Sequence, residues 1–178
     1  ELMTAFNVFC GIALSNAQLF EAATQSKKKM TAMLDIALSL STSMTLESLV
    51  TNIMQRANEL IEAEHCTLFI HDWTHQVCRP LAANNENSTE FSIKRDAVGY
   101  VTVTGTELSS CDPKNDRRFD MYYSDMMKVD VKSMLTTPVI DASGQIVGVV
   151  QALNKKGMPK FTEEDQSLLR AFASFAGL

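Results

Sequence analysis

The residue types that carry catalytic or metal chemistry are sparse in this sequence and poorly spaced for it. His71 and His75 stand four positions apart, the spacing that sets two ligands on one helix face. They flank Asp72-Trp73-Thr74, however, which reads as a hairpin turn, where the helical argument fails. Cys66 and Cys111 would meet a histidine as nucleophiles only through tertiary contacts, and a buried structural role suits them better. There is no G-x-S-x-G elbow, Walker loop or H-E-x-x-H, and the isolated Gly99 and Gly105 make no phosphate-cradling fingerprint. The chemistry points to a module that binds or signals, with no catalytic site and no metal site of its own.

The elements that would position a binding surface follow from periodicity. Thr45 is placed to cap an amphipathic helix through Leu49, Ile53, Ala57, Leu60 and Ile61. The period then switches to alternation, and residues 66–70 and 76–83 read as the two strands of a hairpin. A polar loop at 84–89 leads to a short strand at 91–93, and a helix begins around 96–99. Residues 108–119, rich in Ser, Asp, Pro, Lys and Arg, read as irregular, and 119–128 as a short helix or lid. The clearest strands are 133–140 and 146–153, joined by the turn Asp141-Ala142-Ser143-Gly144. Pro159 and Phe161 announce a last helix, with Thr162 as N-cap and Glu163, Glu164 and Asp165 at its positive end. Strands arriving as hairpins, with helices at the ends and in the middle, predict an α+β domain. Its antiparallel sheet has about six strands and helices on its faces.

Composition removes other classes. A chain of 178 residues that is 46% apolar can bury one proper core. With 16 basic against 21 acidic residues, it lacks the broad basic face that nucleic acid binding requires. The cysteines at 10, 66, 78 and 111 form no C-x-x-C pair or regular framework, so free thiols in the cytoplasm are expected. No apolar run approaches the roughly 20 residues of a membrane span. Glu1, with neither Met nor a basic stretch behind it, reads as an internal cut.

Residues 1–42 contain no proline and a single glycine, Gly11. Their apolar positions recur at three and four through Leu2, Phe6, Phe9, Ala13, Phe20, Ala23, Met30, Leu34 and Ala37, which predicts one long helix. Such a helix extends about 60 Å, more than a small domain can cover, so part of its stripe needs another partner. Asn16, Lys27 and Ser41 fall on the same seam, where polar residues set register, and the expected partner is a second copy in a parallel homodimer. The chain ends also match each other: Ala5, Phe6, Phe9, Gly11 and Ile12 recur as Ala171, Phe172, Phe175, Gly177 and Leu178, the pattern of a tandem array.

Asn154-Lys155, then Phe161, then Asp165 resemble the NKxFxDE signature of GAF domains, with Gln166 departing at the last position. The likeness runs upstream through Gly99, Thr104-Gly105, Asp112, Asp116, Arg118-Phe119, the strand with Pro138 and residues 148–154, and covers 45–178. It implies the GAF, PAS-like fold after a long linker helix, and Lys155 paired with Asp165 so that the last helix is pinned to the sheet edge. Residues 104–119 and 6–17 resemble cyclic-nucleotide phosphodiesterases and their cyclase relatives most. On that resemblance, 1–44 are the end of a preceding GAF domain plus the linker helix, and 45–178 are the second GAF domain. A phosphodiesterase catalytic domain, a hydrolase, usually follows such a pair.

The resemblance also implies a ligand, cAMP or cGMP, and no cofactor. Thr67 falls on the strand position that contacts the base, and Gln151 on the last-strand position facing the purine, where its amide fits either nucleotide. Val98 and Gly99 open the helix whose N–H groups suit the cyclic phosphate. Ser124 and Met127 fall on the lid, with Val131 just beyond. Ala83-Asn84 stands where the family has a Phe-Asp pair on the base, and Met127 and Val131 replace two lid hydroxyls. Two functions stay open. One is a regulatory domain that senses a cyclic nucleotide and relays occupancy through the helical connector, favoured by Asn84 and Gln151. The other is a ligand-free GAF domain kept for dimerisation, favoured by Ala83, Met127 and Val131.

Overall fold

The computed structural model describes residues 46–82, 91–92, 96–120 and 129–177, with residues 3, 6, 10, 11, 13–22, 24, 26 and 31 near the start. The chain divides into two compact units, Glu1–Ser43 and Met44–Leu178. In the first, the described residues are helical, and Thr24 Oγ1 donates to the Phe20 carbonyl at 2.8 Å. Met3, Phe6, Leu14, Leu19 and Phe20 stand 63–79% exposed on it.

The second unit begins with α1 (Leu46–Ile61), followed by β1 (Ala63–Asp72), β2 (Val77–Ala82), β3 (Phe91–Ser92) and α2 (Ala97–Thr104). Next come β4 (Leu108–Ser110), a 3₁₀ turn at Pro113–Asn115, β5 (Met134–Ile140), β6 (Ile146–Lys155) and α3 (Glu163–Ala176). The six strands form one sheet in the order β3-β2-β1-β6-β5-β4, with every neighbouring pair antiparallel. This is the α+β architecture expected from the alternation of hairpins and helices.

The long central strand β6 is buried from Gly148 to Asn154, so both its faces are covered. Its sequence is correspondingly apolar at consecutive positions, as a doubly covered strand must be. Phe69, Met134, Val149 and Leu153 pack with Ala97, Val98 and Val101 of α2 on one face. The alternate residues Leu68, Leu135, Val150 and Ala152 turn to the other face, where α1 and α3 pack on each other and on β1 and β5. The amphipathic stripe of α1 supplies Val50, Ile53, Met54, Ala57 and Ile61 to that layer, and α3 supplies Leu168, Leu169 and Phe172.

Two differences from the periodicity are physical. β4 lies inside the stretch expected to be irregular, because three residues are too few to show alternation. It exists through its pairing with Met134, Leu135 and Thr136 of β5. β1 starts three residues earlier than expected, because Ala63 pairs with Lys155 before the apolar alternation begins. Thr45, the loop at 84–89 and the lid at 121–128 lie outside the described residues.

The β5–β6 turn needs Gly144, whose φ is +84°, while the Asp141 carboxylate accepts from the backbone N–H groups of Ser143 and Gln145. Gly148 is required for another reason: a Cβ there would come 2.5 Å from the carbonyl oxygen of Phe69 on the neighbouring central strand. Gly148→Ala is therefore expected to cost about 2 kcal/mol or more by prising β1 from β6. Gly11→Ala, in open space on the N-terminal helical segment, should leave the melting temperature unchanged or raised. Thermal unfolding of the two variants checks both.

Candidate functional site

Three elements meet at the end of β6. Lys155 Nζ donates to the Ile61 carbonyl at the C-terminus of α1, at 2.8 Å, and to Asp165 Oδ1 at 3.1 Å. Its side chain is 8% exposed and that of Asp165 6%, so the pair is withdrawn from water. The lysine satisfies a carbonyl that α1 leaves orphaned at its negative end. Asp165 Oδ2 accepts from the Thr162 N–H at 2.8 Å, and Thr162 Oγ1 accepts in return from the Asp165 N–H at 3.2 Å, a capping box that starts α3. Phe161 is buried beside this start.

Asn154 makes the second junction. Its φ of +58° is left-handed, a region asparagine tolerates better than most residues. Oδ1 accepts from the Lys132 N–H at 2.8 Å, while Nδ2 donates to the Asp130 carbonyl at 3.0 Å and to Glu64 Oε2 at 2.7 Å. The approach to β5 is thereby fastened to the end of β6. Further along that segment, Lys114 bridges to Asp130 at 2.6 Å. Arg118 grips Asp116 through Nε at 2.9 Å and Nη2 at 2.6 Å, which holds the Asp116 carboxyl well below its usual range.

On the sheet face beneath α2, cross-strand pairing puts Thr67, Gln151, Thr136 and Leu108 in one row across β1, β6, β5 and β4. Gln151 is 3% exposed, and its Nε2 reaches Thr136 Oγ1 at 3.3 Å and the Met134 sulfur at 3.7 Å. Val98 and Val131 lie together in the apolar cluster under α2, with Phe119 alongside and Tyr100 and Val129 partly buried against it. The N–H of Gly99, expected to serve a phosphate, donates to the Asp96 carboxylate at 2.7 Å. Asp96 is the N-cap of α2 and is 2% exposed. The structure therefore brings Thr67 and Gln151 into one row and Val98 and Val131 into one cluster. Ala83, Asn84, Ser124 and Met127 lie outside the described residues.

The buried Asp96 and the Asn154 junction were not singled out from the sequence. An aspartate three residues before Gly99, at the mouth of a helix, was the available signal for the first. Asn154 stood in a recognised signature without a reason for its side chain.

The remaining reactive groups do not converge. His71 is buried on β1, with no hydrogen-bond partner for either ring nitrogen among the described residues; burial holds its pKa below the usual histidine value. Its ring lies 3.9 Å from that of Trp73, centroid to centroid. His75 sits instead in the exposed turn, with Nδ1 2.8 Å from Asp72 Oδ2. Burial pushes the thiols of Cys66 and Cys78 up to about 12, far from nucleophilic, whereas Cys111 is exposed, contrary to the buried role expected of it. Among the described residues no cluster of His, Cys, Asp or Glu could hold a metal ion, and no helix is long and apolar enough to cross a membrane. A cleft of about 360 Å³ beside α3, lined by Glu107, Thr137, Pro138, Ile140 and Arg170 among others, contains none of the expected ligand positions.

An antiparallel sheet with α1 and α3 on one face and α2 on the other, over a buried polar row, defines an α+β sheet-and-helix domain. Residues 45–178 match the GAF domain family, and the chain belongs to it. Over its whole length it is 31% identical to a Dual 3',5'-cyclic-AMP and -GMP phosphodiesterase 11A of Takifugu rubripes, spanning 22% of that protein. It is 27% identical to a cGMP-specific 3',5'-cyclic phosphodiesterase of Drosophila mojavensis, spanning 21% of it. The chain thus spans about a fifth of the length of these curated relatives. Among solved structures, the GAF domain of a phosphoenolpyruvate-protein phosphotransferase from Coxiella burnetii superposes with a TM-score of 0.73 at 17% identity. That match covers 85% of this chain and 91% of that one, and establishes the fold.

Removing Asp165 takes away the buried counter-charge and leaves Lys155, among the described residues, with the Ile61 carbonyl and the exposed Glu62 carboxylate 3.7 Å away. Asp165→Ala is expected to cost about 3–5 kcal/mol and lower the melting temperature sharply. Breaking the exposed Arg56–Glu59 pair, 3.1 Å apart, with Arg56→Ala should cost less than about 1 kcal/mol. Denaturant unfolding compares the two directly.

Proposed function

We propose that this chain is the second GAF domain of a tandem pair with its connector helix, a non-catalytic regulatory module of a cyclic-nucleotide phosphodiesterase that binds cAMP or cGMP beneath α2. The observation that carries the reading is Gln151. Among the described residues, this deeply buried carboxamide has a long bond to a threonine hydroxyl and a contact to a thioether, a weak acceptor. A purine edge would supply stronger partners, and Thr67 and Thr136 flank the amide in the same row. The similarity to phosphodiesterases over the full chain supports the parent protein. The alternative, a ligand-free domain kept for dimerisation, is favoured by the apolar cluster of Val98, Val131, Met134 and Leu153, which fills space under α2.

Calorimetric titration of the refolded, nucleotide-free protein with both cyclic nucleotides separates the two. With binding, Gln151→Ala should weaken it by about 1–2 kcal/mol without unfolding the domain. An absence of heat from wild type at millimolar ligand would leave the ligand-free alternative standing.

The partner proposed for the connector is a second copy of the chain. Phe6, Leu14, Leu19 and Phe20 expose too much apolar surface on one short stretch to remain in water. A parallel dimer through this helix covers them, and Phe20→Glu should give a monomer by placing a charge in the seam. Sedimentation showing wild type monomeric at high micromolar concentration, or the variant still dimeric, would move the contact elsewhere.

A further inference from the structure

One buried polar side chain takes no part in the proposed binding row. His71, near the end of β1, is 7% exposed, and among the described residues neither ring nitrogen has a hydrogen-bond partner. A neutral imidazole brings one N–H into that position, and a protonated one brings two together with a full charge. The surroundings suit a cation poorly. Directly across the ladder on β2 is Cys78, whose thiol stays neutral because burial pushes it up to about 12, with Asp96 and Thr102 of α2 acting on that thiol. On β6, Gly148 and Val149, opposite the two preceding residues of β1, are uncharged. In the turn, Asp72 favours a charge on His71, but burial opposes it more strongly. The Asp72 carboxylate is moreover committed elsewhere, with Oδ1 accepting from the N–H groups of Thr74 and His75 and Oδ2 2.8 Å from His75 Nδ1.

Trp73 is the neighbour that depends on this ring. The indole is half exposed, its ring centroid lies 3.9 Å from that of His71 with the planes 57° apart, and its Nε1 donates to the Ile146 carbonyl at 3.0 Å. Ile146 opens β6, so the stacked pair fastens the β1–β2 turn to the first residue of the central strand. The indole face offers a cation some attraction, but a tilted ring supplies no acceptor for two imidazole N–H groups. Water does, and His71 reaches it only by leaving its place beside the indole.

We infer that His71 is a proton-operated latch: neutral, it stacks on Trp73 and holds the β1–β2 turn to the start of β6, and protonated, it moves out to solvent, so that Trp73 gives up the Ile146 carbonyl. The sign follows from burial, which keeps the folded-state pKa of His71 below its unfolded value. Folding therefore excludes the proton, and the stability that the latch contributes is present above the usual histidine value of about 6.5 and is lost as pH falls below it. The latch needs no nucleotide beneath α2 to operate.

Trp73 is the single tryptophan of the chain, so its fluorescence reports the latch directly. Full-length wild type, His71→Gln, His71→Phe and His75→Asn would be followed from about pH 8 to about pH 5 by emission, by NMR of the indole N–H and the imidazoles, and by denaturant unfolding. In wild type and His75→Asn, emission should shift to the red as pH falls below about 6.5, and the Trp73 indole N–H should lose its protection from exchange. Between about pH 7 and about pH 5 the unfolding equilibrium of wild type should move about tenfold further than that of either His71 variant. A wild-type His71 imidazole that titrates at or above the usual histidine value, a measurement that needs no variant, would overturn the latch. So would emission unchanged across the range, an acid response retained in folded His71→Gln and His71→Phe, or quenching without a red shift while the indole N–H stays protected, since the proton would then be accepted in place.

Discussion

A lysine ammonium and a carboxylate withdrawn from water are tolerated only when each finds enough partners, and much of this fold is arranged around that requirement. Lys155 has Asp165 and the last carbonyl of α1; Asp165 has Lys155 and the N–H and hydroxyl of Thr162. Each bond belongs to a different element, so satisfying the two charges fixes the end of α1, the end of β6 and the start of α3 at one point. An apolar pair of the same volume would often be as stable. It would not be directional: greasy side chains allow α3 to slide over β5, whereas a capping box closed onto a buried lysine fixes where the helix begins.

The same strand end serves the other face. Asn154, one residue before Lys155, holds the backbone of Asp130 and Lys132 on the way into β5. Two consecutive residues thus anchor, respectively, the segment entering β5 and the helical layer. The sharp reversal in what they hold is possible because Asn154 leaves the extended region for a left-handed φ of +58°. Three residues upstream on the same strand lies Gln151, so the polar row beneath α2 and the pinned helices share one rigid element.

How far this could be read from the sequence depends on the range of the interaction. Thr162 as a cap, the turn at Asp141-Ala142-Ser143-Gly144 and the two strands it joins are local, and local spacing revealed them. β4 was missed because three residues carry no period; it is a strand only by virtue of β5. Asp96 shows the limit more clearly: an acidic residue at a helix start is visible in the sequence, but its burial is a tertiary fact. Lys155 and Asp165 came from a family signature, and no amount of spacing would have paired them with the carbonyl of Ile61. Cys111 was misjudged for the converse reason, since an apolar-tolerant residue in a polar loop is buried only if something folds over it.

The polar row beneath α2 is harder to explain as architecture than as function. β6 is covered on both faces, where an apolar residue at 151 would pack well without the hydrogen-bond partners that a buried carboxamide requires. Thr136, completely buried on the adjoining strand, repeats the choice. If the face were only a packing surface, both positions would be expected to join the valines and leucines around them, as Val149 and Leu153 do on the same strand. Hydrogen-bonding capacity kept at adjacent buried positions under α2 is the feature on which the proposed cyclic-nucleotide reading rests, because packing alone does not call for it.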